Sequence, residues 1–333
     1  MKIDTTNLNN RKNLLAFSSG VDSTALFFIL LEHQVSFDIA IVNYHLRNQS
    51  NNEVSYAKQL AIKYNKKCYI KNVNISSNNL EQNARNIRYS YFEELIKNYQ
   101  YDNLLTAHQL NDKLEWFLMQ FTKGAGIIEL QGIKEFEKRD KYNLIRPILN
   151  YSKNKLIKYL AKNNIKYFID ETNFNYKYKR NYFRTEFSNR LLKEFENGIQ
   201  NSFSYISKDI KLLNINYNPI LKIDSLVIFN SYNNHNKNIR VIDHYLKYQG
   251  YIISSKQRVE IIKQKEIIID KYCISIRDNY IWISPNISDI KLDKKFKELC
   301  RINKIPKKHR VYIKKQNIDI EKLINIYKLK FNI

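Results

Sequence analysis

Glycine and proline are scarce in this chain, which has six glycines and four prolines among its 333 residues. Average proteins contain about 7% glycine and about 5% proline, so collagen-like and linker-like proteins are excluded. Where glycine is this rare, each glycine that is present is expected to meet a need of the backbone. The chain is rich in tyrosine instead, with 25 of them, and 44% of its residues are hydrophobic, which indicates a folded protein.

Cysteine and long apolar runs are also lacking. The three cysteines, Cys68, Cys273 and Cys300, lie far apart and form no C-x-x-C motif. A disulfide framework, a zinc ribbon or an iron–sulfur cluster held within one motif is therefore not expected. The longest apolar run, residues 25–31, is far shorter than the roughly 20 residues of a membrane span, and the first residues contain no apolar signal core. We therefore expect a cytoplasmic protein of a reducing compartment, with no membrane partner.

Acidic residues are few relative to basic ones. The chain has 56 Lys and Arg against 32 Asp and Glu, a net charge of +24. Residues 201–333 hold 26 of the basic but only 12 of the acidic residues. Such an excess predicts a polyanionic partner, and nucleic acid comes first. The alternative is a solvated, lysine-rich surface without a partner.

The first half alternates short β-rich runs with helical patterns. Strands are predicted at residues 13–17, 37–44, 68–73 and 103–106, and helices at 24–33, 53–64, 80–99 and 110–121. Repeated βα units predict an α/β fold, a Rossmann-like parallel sheet with helices on both faces. Ligands of such sheets bind beyond the carboxyl ends of the strands.

The second half is predicted to be a helical segment followed by a small α+β region. Helices are expected at residues 153–163, 181–195, 238–248 and 256–265, and strands at 266–276 and 279–284. We place domain boundaries so that residues 1–196 form the α/β domain and residues 197–286 a linker with a helical and α+β domain. Residues 287–333 form a basic C-terminal segment.

A loop of small residues, residues 18–23 (SSGVDS), joins the first strand to the first helix. Free N–H groups and the positive end of the helix make such a junction an anion site. No Gly-Lys-Ser/Thr follows, so this is not a Walker A loop. A helix start capped by Asp22 or Ser23 is the alternative reading.

The loop resembles the S-G-G-x-D-S pyrophosphate loop of N-type ATP pyrophosphatases, which cut ATP between the α- and β-phosphates and adenylate a substrate. Further motifs occur in the order expected of one family of this class, the tRNA(Ile)-lysidine synthases. These motifs are residues 42–47 (VNYHLR), 81–89 (EQNARNIRY), 106–115 (TAHQLNDKLE), 123–133, 146–149 (RPIL) and 170–184. Residues 304–310 are more weakly similar to the family's C-terminal domain.

The resemblance implies an ATP-dependent ligase that modifies tRNA. The family uses ATP to adenylate the wobble cytidine of an isoleucine tRNA with a CAU anticodon. The ε-amine of free lysine then displaces AMP and yields lysidine. The resemblance therefore implies ATP and Mg²⁺ as cofactors and this tRNA and free L-lysine as partners, and a homodimer is left open.

The resemblance also implies site residues. The ATP-binding residues are Ser18, Ser19, Gly20, Val21, Asp22 and Ser23. The catalytic residues are Asp22, Arg85, His108 and Asp112, and Asp22 also holds Mg²⁺. Arg85 would face the polyphosphate or the activated cytosine, and its alternative role is an ion pair with Glu81 four residues earlier.

His108, Asp112 and Glu115 lie at i, i+4 and i+7, on one face of a helix that follows a strand. Lysine arrives as an ammonium with a reference pKa of about 10.4, which carboxylates can hold. A nearby base must remove a proton before the amine attacks. We therefore predict that these three residues bind lysine, with Asp112 or His108 nearest the proton transfer. The alternative is an exposed helix face with an incidental pair of acids.

Four basic residues are predicted to bind tRNA: Arg180, Arg184, Lys307 and Arg310. Several positions depart from the family pattern. Ser19 replaces a glycine, and Gln109, Asn111, Lys113 and Trp116 replace the family's His, Asp, Gln and Thr. If the backbone of Ser19 has a positive φ, serine costs roughly 1 kcal/mol there. Asn111 makes the predicted lysine pocket less negative.

Two other functions stay open. A tRNA-thiolating enzyme with the same loop would need a cysteine relay or an iron–sulfur cluster, and the lack of a C-x-x-C motif argues against it. An RNA-binding protein with a decayed ATP site is favoured by Ser19 and Asn111, whereas the retained Asp22, His108 and Asp112 argue against it.

Overall fold

The computed structural model describes residues 1–45, 49–74, 80–169, 179–288 and 290–323. The chain divides into two units, Met1–Leu212 and Leu213–Ile333. The division differs from the expected boundaries after residues 196 and 286. The helical segment Asn189–Leu212 is kinked at Phe195, where φ is −123° and ψ is 26°, and both of its parts belong to unit 1. The segment after residue 286 packs on the same core as the second sheet.

A six-stranded sheet forms the centre of unit 1. Its strands are β1 (Asn13–Ala16), β2 (Phe37–Asn43), β3 (Cys68–Asn72), β4 (Asn103–Leu105), β5 (Phe136–Lys138) and β6 (Asn143–Ile145). They lie in the order β3-β2-β1-β4-β6-β5, and all neighbours are parallel except the β5–β6 pair. The predicted Rossmann-like parallel sheet is therefore confirmed.

Helices cover both faces of this sheet. They are α1 (Val21–Glu32), α2 (Ser50–Lys63), α3 (Leu80–Tyr99), α4 (Leu110–Phe121), α5 (Ile127–Gln131), α6 (Lys153–Lys162), α7 (Lys179–Phe183) and α8 (Asn189–Leu212), with a π-helical turn at Arg184–Ser188. Leu14 and Leu15 point to opposite faces, because side chains alternate along a strand. Leu15 joins the core under α1, α2 and α6, and Leu14 joins the core under α3.

The strand order places the functional loops together. The chain leaves β1 towards β2 on one side, whereas β4 lies on the other side of β1. The point between β1 and β4 is therefore the topological switch of the sheet, where α/β proteins bind ligands. The loop after β1 contains residues 17–20, and the loop after β4 contains residues 106–109.

Unit 2 is built on an antiparallel sheet. Its strands, in the order β7-β8-β11-β10-β9, are β7 (Leu221–Ile223), β8 (Leu226–Asn230), β9 (Glu266–Ile269), β10 (Tyr272–Arg277) and β11 (Tyr280–Pro285). Its helices are α9 (His235–Tyr248), α10 (Ser255–Gln264), α11 (Lys294–Ile302) and α12 (Arg310–Lys315). The strand expected at 266–276 is a hairpin, because Asp270 adopts a left-handed turn with φ 50°. None of the described helices is both long and apolar enough to cross a membrane.

Candidate functional site

The phosphate-type loop begins α1 without a side-chain cap. The N-cap is Gly20, and no side chain of the described residues bonds the first N–H groups, so the expected cap by Asp22 or Ser23 is wrong. Ser23 Oγ instead accepts the backbone N–H of Ser18 at 3.2 Å and lies 3.0 Å from Ser18 Oγ. The amino end of α1 therefore keeps its donors available to an anion.

Ser19 stands in a left-handed backbone conformation, with φ 59°. The serine is fully buried, and its hydroxyl donates to the carbonyl oxygen of Glu53 at 2.7 Å. The carbonyl of Ser19 accepts the N–H of Phe168 at 2.9 Å. The strain expected from a non-glycine residue is therefore offset by a buried hydrogen bond that a glycine could not make.

Asp22 is the acid of the loop. Its Oδ1 is buried and accepts no hydrogen bond within the described part of the chain. The pKa of Asp22 is raised to about 7. Burial is the largest cause, the charge of Asp112 adds to it, and the charge of Lys153 opposes both. An orphaned carboxylate oxygen beside an anion site fits Mg²⁺, which proteins bind through one or two carboxylates and substrate phosphates.

His108 lies in the loop after β4. Its Nδ1 is 3.0 Å from the hydroxyl of Thr106. Burial lowers the pKa of His108 below its ordinary value, and the positive charges of Arg146 and Arg180 lower it while Asp112 opposes them. The imidazole is therefore neutral near pH 7 and has an unprotonated ring nitrogen, but its pKa of about 4 makes it a weak base.

The predicted acid pair is held by two arginines. Asp112 Oδ1 accepts from Arg180 at 2.5 Å, and its Oδ2 accepts the N–H of Gln109 at 3.0 Å. Glu115 Oε2 accepts from Arg180 at 2.8 Å and from Arg184 at 3.2 Å, and its Oε1 accepts from Arg184 at 2.7 Å. Burial opposes the ionisation of Asp112, but Arg180 and the Gln109 N–H outweigh it and hold its pKa below the ordinary range. We call these four side chains the acid–arginine cluster: Asp112, Glu115, Arg180 and Arg184.

Asn111 has a structural role beside this cluster. Its amide donates to Asn189 at 2.8 Å, and its carbonyl oxygen accepts the N–H of Lys153 at 3.1 Å. The side chain that replaces the family's acid therefore joins α4 to α6 and α8. One contact needs the N–H donor of the side-chain amide and the other its oxygen acceptor. An ionised carboxylate has no donor and could make only the second.

A cleft of about 410 Å³ lies at the switch point. Gly20, Asp22 and His108 line it together with Arg85 and Arg88 of α3. The guanidinium of Arg85 lies 4.9 Å from the ring centroid of Tyr89, one turn later on the helix. The structure thus brings the predicted phosphate loop, His108 and Arg85 into one cleft, while Glu115 lies buried behind it.

The sequence did not single out three other residues of the cleft, Lys153, Thr185 and Asn189. Lys153 is the first residue of α6, after the N-cap Ser152. The sequence did contain a signal for Lys153. The R-P-I-L motif follows β6 directly, so the next helix must begin near the carboxyl ends of the strands. Nothing comparable marks Thr185 and Asn189.

The predicted tRNA-binding residues of unit 2 differ from each other. Lys307 is exposed in the short helical turn Lys307–His309. The guanidinium of Arg310 donates twice to the carbonyl of Ile305, at 3.0 and 2.9 Å, and once to that of Lys297 at 3.4 Å. Arg310 therefore supports the local backbone, whereas Lys307 is available at the surface.

One glycine of the motif at residues 123–133 leaves room for a neighbouring side chain, which the sequence did not suggest. Gly132 has φ 61°, and a Cβ atom there would lie 2.2 Å from the indole of Trp116. Trp116 occupies this space because its Nε1 donates to the carbonyl of Glu129 at 3.2 Å. Motif residues 46–47 and 170–178 lie outside the described residues, as does the Glu81 side chain.

Comparison with solved structures agrees with the fold. The U34-tRNA thiolase NcsA from Methanococcus maripaludis, a structure with its 4Fe–4S cluster, superposes with a TM-score of 0.51 over 64% of this chain and 75% of that one. The two sequences are 16% identical. The likeness therefore concerns the fold alone.

Comparison with sequences is more specific. Residues 2–191 match the family model of the PP-loop domain. The chain is 41% identical to the tRNA(Ile)-lysidine synthase of Campylobacter jejuni, over 95% of this chain and 96% of that one. It is 41% identical to the enzyme of that name from Wolinella succinogenes, over 94% and 95%, and 38% identical to that from Helicobacter hepaticus, over 91% and 81%. The chain belongs to the tRNA(Ile)-lysidine synthase family.

Proposed function

We propose that this protein is an ATP-dependent ligase that joins lysine to the wobble cytidine of an isoleucine tRNA with a CAU anticodon and so forms lysidine. The observation that carries the proposal is the cleft at the switch point, where an uncapped helix start, an orphaned aspartate and a neutral histidine meet. An adenylating ligase needs these three features: a phosphate site, a cation ligand and a proton acceptor.

The amino end of α1 supports ATP binding. The backbone N–H groups of the loop and the helix dipole attract phosphate oxygens. Arg85 and Arg88 line the opposite wall of the cleft and add positive charge where the pyrophosphate leaves. In this arrangement the phosphates lie between α1 and α3.

Asp22 is the residue that would hold Mg²⁺. When it is bound, the cation neutralises charge that develops on the phosphate oxygens. Asp22 supplies one carboxylate, and its raised pKa means that it releases a proton when the cation binds near neutral pH. Among the described residues no group of three His, Cys, Asp or Glu side chains is arranged to hold a metal ion.

His108 is the favoured proton acceptor for the amine of lysine. It is neutral and lines the cleft, and Thr106 orients its ring. Asp112 and Glu115 remain the proposed lysine-binding acids, but all four of their oxygens already accept hydrogen bonds. Lysine would therefore bind there by taking the place of an arginine, most readily of Arg180, which is the more exposed of the two.

The substrate tRNA is expected to contact both units. Arg184 lines the cleft, but Arg184 and Arg180 are both bonded to Glu115 and would have to release it to contact tRNA. Lys307 is exposed on unit 2 among basic residues. The prediction that Arg310 binds tRNA is supported less well, because its guanidinium is already engaged with backbone carbonyls. A homodimer stays a prediction that no contact in this single chain addresses.

The test supplies the purified protein with ATP, Mg²⁺, labelled lysine and an isoleucine tRNA that has a CAU anticodon. We expect label in the tRNA that depends on ATP and is absent with the initiator methionine tRNA, which has the same anticodon. Binding of the tRNA without lysine incorporation would favour the RNA-binding alternative. Incorporation of sulfur from a donor would favour thiolation.

A further inference from the structure

A second cavity of about 920 Å³ lies in unit 1. We call it the lysine-lined cavity, because five lysines border it: Lys2, Lys113, Lys134, Lys155 and Lys211. It shares no lining residue with the cleft in the described part of the chain. Lys113 and Glu115 are two residues apart on α4 and therefore point to opposite sides of the helix. The cavity is thus separate from the acid–arginine cluster.

Lys113 lies at the base of the cavity. Only 7% of this residue is exposed, and its ammonium makes no hydrogen bond or ion pair with any residue that the structure describes. Its nearest defined neighbour is the ring of Phe203, whose centroid is 4.6 Å from Nζ. Burial lowers the pKa of Lys113, and the charge of Glu135 opposes this. The charge of Glu135 acts on this ammonium without a direct ion pair, so an anion in the cavity could contact it directly.

The surroundings of Lys113 have a net positive charge. Lys155 is paired with Glu196 at 3.0 Å, whereas the other lysines make no ion pair among the described residues. Two acids also line the cavity: Asp4, which accepts the N–H of Thr6, and Glu135, which accepts the amide of Asn150 and acts electrostatically on Lys113. Four lysines against two hydrogen-bonded acids leave an excess of positive charge.

Helix α8 contributes three neutral polar side chains and one lysine to the lining of the cavity. Gln200, Ser204, Ser207 and Lys211 lie at i, i+4, i+7 and i+11, so they form one stripe of the helix, and all four line the cavity. The amide of Gln200 already donates to the carbonyl of Asn150 at 2.6 Å, so Ser204, Ser207 and Lys211 are the donors that this side of the helix offers to the cavity.

We propose that the lysine-lined cavity binds a phosphate group, either of an RNA backbone or of a free phosphate or pyrophosphate. Ammonium groups and amide and hydroxyl donors are the groups that proteins direct at phosphate oxygens. The family motif has glutamine where this chain has Lys113, so the buried charge is a property of this sequence. The proposal goes beyond the ligation chemistry, which takes place in the other cavity.

The experiment measures how fast an amine-reactive reagent modifies individual lysines of the full-length protein, read by mass spectrometry. Inorganic pyrophosphate and the CAU-anticodon isoleucine tRNA are the two probes, used separately. Lys153 reports on the cleft, and the exposed Lys158 outside both cavities is the control for general changes in reactivity.

We expect at least one probe to slow the modification of Lys113 several-fold while Lys158 is unchanged. Protection by pyrophosphate identifies a site for free phosphates, and protection by tRNA alone identifies an RNA phosphate. In the second case Lys113→Gln lowers the salt slope of tRNA binding by about 1, and Lys158→Gln does not. Protection of Lys153 without any protection of Lys113 by either probe would overturn the proposal and leave the proposed function intact.

Discussion

The two units of this protein place their buried polar groups in different surroundings. Unit 1 gathers charged groups at the carboxyl ends of its sheet, where Asp22 is orphaned and Glu115 is paired with two arginines. Behind the sheet of unit 2, the buried His309 is neutral and lies between two hydroxyls, Ser284 at 2.8 Å and Ser275 at 3.0 Å.

Unit 2 also buries an acid, Asp243, which is paired with Lys247 at 2.7 Å and Arg258 at 3.2 Å, and its Oδ1 has no hydrogen-bond partner among the described residues. Buried charges are costly, and a perturbed acid that lines a cleft, as Asp22 does, marks a candidate functional site, whereas Asp243 lines neither the cleft nor the lysine-lined cavity. The difference indicates which unit contains the candidate active site.

Neutral hydrogen bonds such as those of His309 hold a structure together at low cost. Here they attach the turn at Lys307–His309, and with it the basic surface of the C-terminal segment, to the sheet of unit 2. Unit 1 thus has the features of an active site and unit 2 those of a support for basic side chains.

The largest effect is expected from Asp22→Asn. The variant keeps the shape of the side chain but removes the charge that would hold the cation and organise the phosphates. We expect lysine incorporation to fall by about 10²–10³-fold, as when a charge-stabilising group is removed from an active site. Asp140→Asn, at an exposed acid of the same unit, is the matched control and should leave activity unchanged. Similar activity of the two variants would show that Asp22 is not part of the site.

The next effect concerns stability. Glu115→Ala removes a buried acid and leaves Arg184 without its main ion-pair partner. We therefore expect the free energy of unfolding to drop by about 3–5 kcal/mol. The control is Glu298→Ala, which breaks an exposed pair with Arg301 at 2.6 Å and should have no measurable effect. Chemical denaturation of both variants checks this. Equal losses would contradict the view that unit 1 depends on buried charge.

Unit 2 should be sensitive to acid through His309. Burial lowers the pKa of His309 to about 3, so the folded state stays neutral at pH values where the unfolded chain, with a pKa near 6.5, binds a proton. Stability should therefore fall by about 1.4 kcal/mol per pH unit below pH 6.5. In a Trp116→Phe background, urea unfolding can be followed by the fluorescence of Trp282, whose ring lies 5.9 Å from His309. An equal pH dependence in His309→Gln would rule out this origin.

Binding of Mg²⁺ and ATP should depend on pH through Asp22. Its raised pKa of about 7 means that the carboxyl is largely protonated below pH 7 and must lose a proton to hold the cation. Affinity should therefore rise with pH, by up to tenfold per unit below pH 7, and level off above it. Calorimetry in two buffers of different ionisation enthalpy would detect the released proton. Proton uptake, or none, would contradict the assignment.

The smallest effect is expected at Ser19. Ser19→Ala keeps the left-handed strain and loses the bond to Glu53, so we expect a loss of about 1 kcal/mol and a higher KM for ATP. Ser19→Gly loses the same bond but also relieves the strain, so it should lie closer to the wild type. Thermal unfolding and ATP titration compare the two variants. A glycine variant worse than the alanine variant would show that the strain does not matter.

The sequence predicted those parts of the fold whose pattern is local. Helices α3 and α4 occur with the expected bounds, and strands β1–β4 lie within a residue of expectation at each end, because their apolar periodicity is strong. Strands β5 and β6 have three residues each, too few for a period to show, and were missed together with β7 and β8.

The site was predictable as a set of residues but not as a set of contacts. The loop at Asp22 and the strand end at His108 follow from the chain order and the strand pattern. The pairs between Glu115 and the two arginines span 65 and 69 residues, and the bond from Ser19 to Glu53 spans 34. No local signal encodes such distant pairings, which arise only when the fold brings the elements together.

The account's central claim is that the cleft of unit 1 uses ATP to activate tRNA for attack by lysine. The most direct test follows AMP, pyrophosphate and labelled lysine in one reaction with the wild-type protein and the isoleucine tRNA. The account predicts one AMP and one pyrophosphate for each lysine that enters the tRNA. Release of ADP and phosphate, or formation of AMP with no lysine in the tRNA, would contradict it.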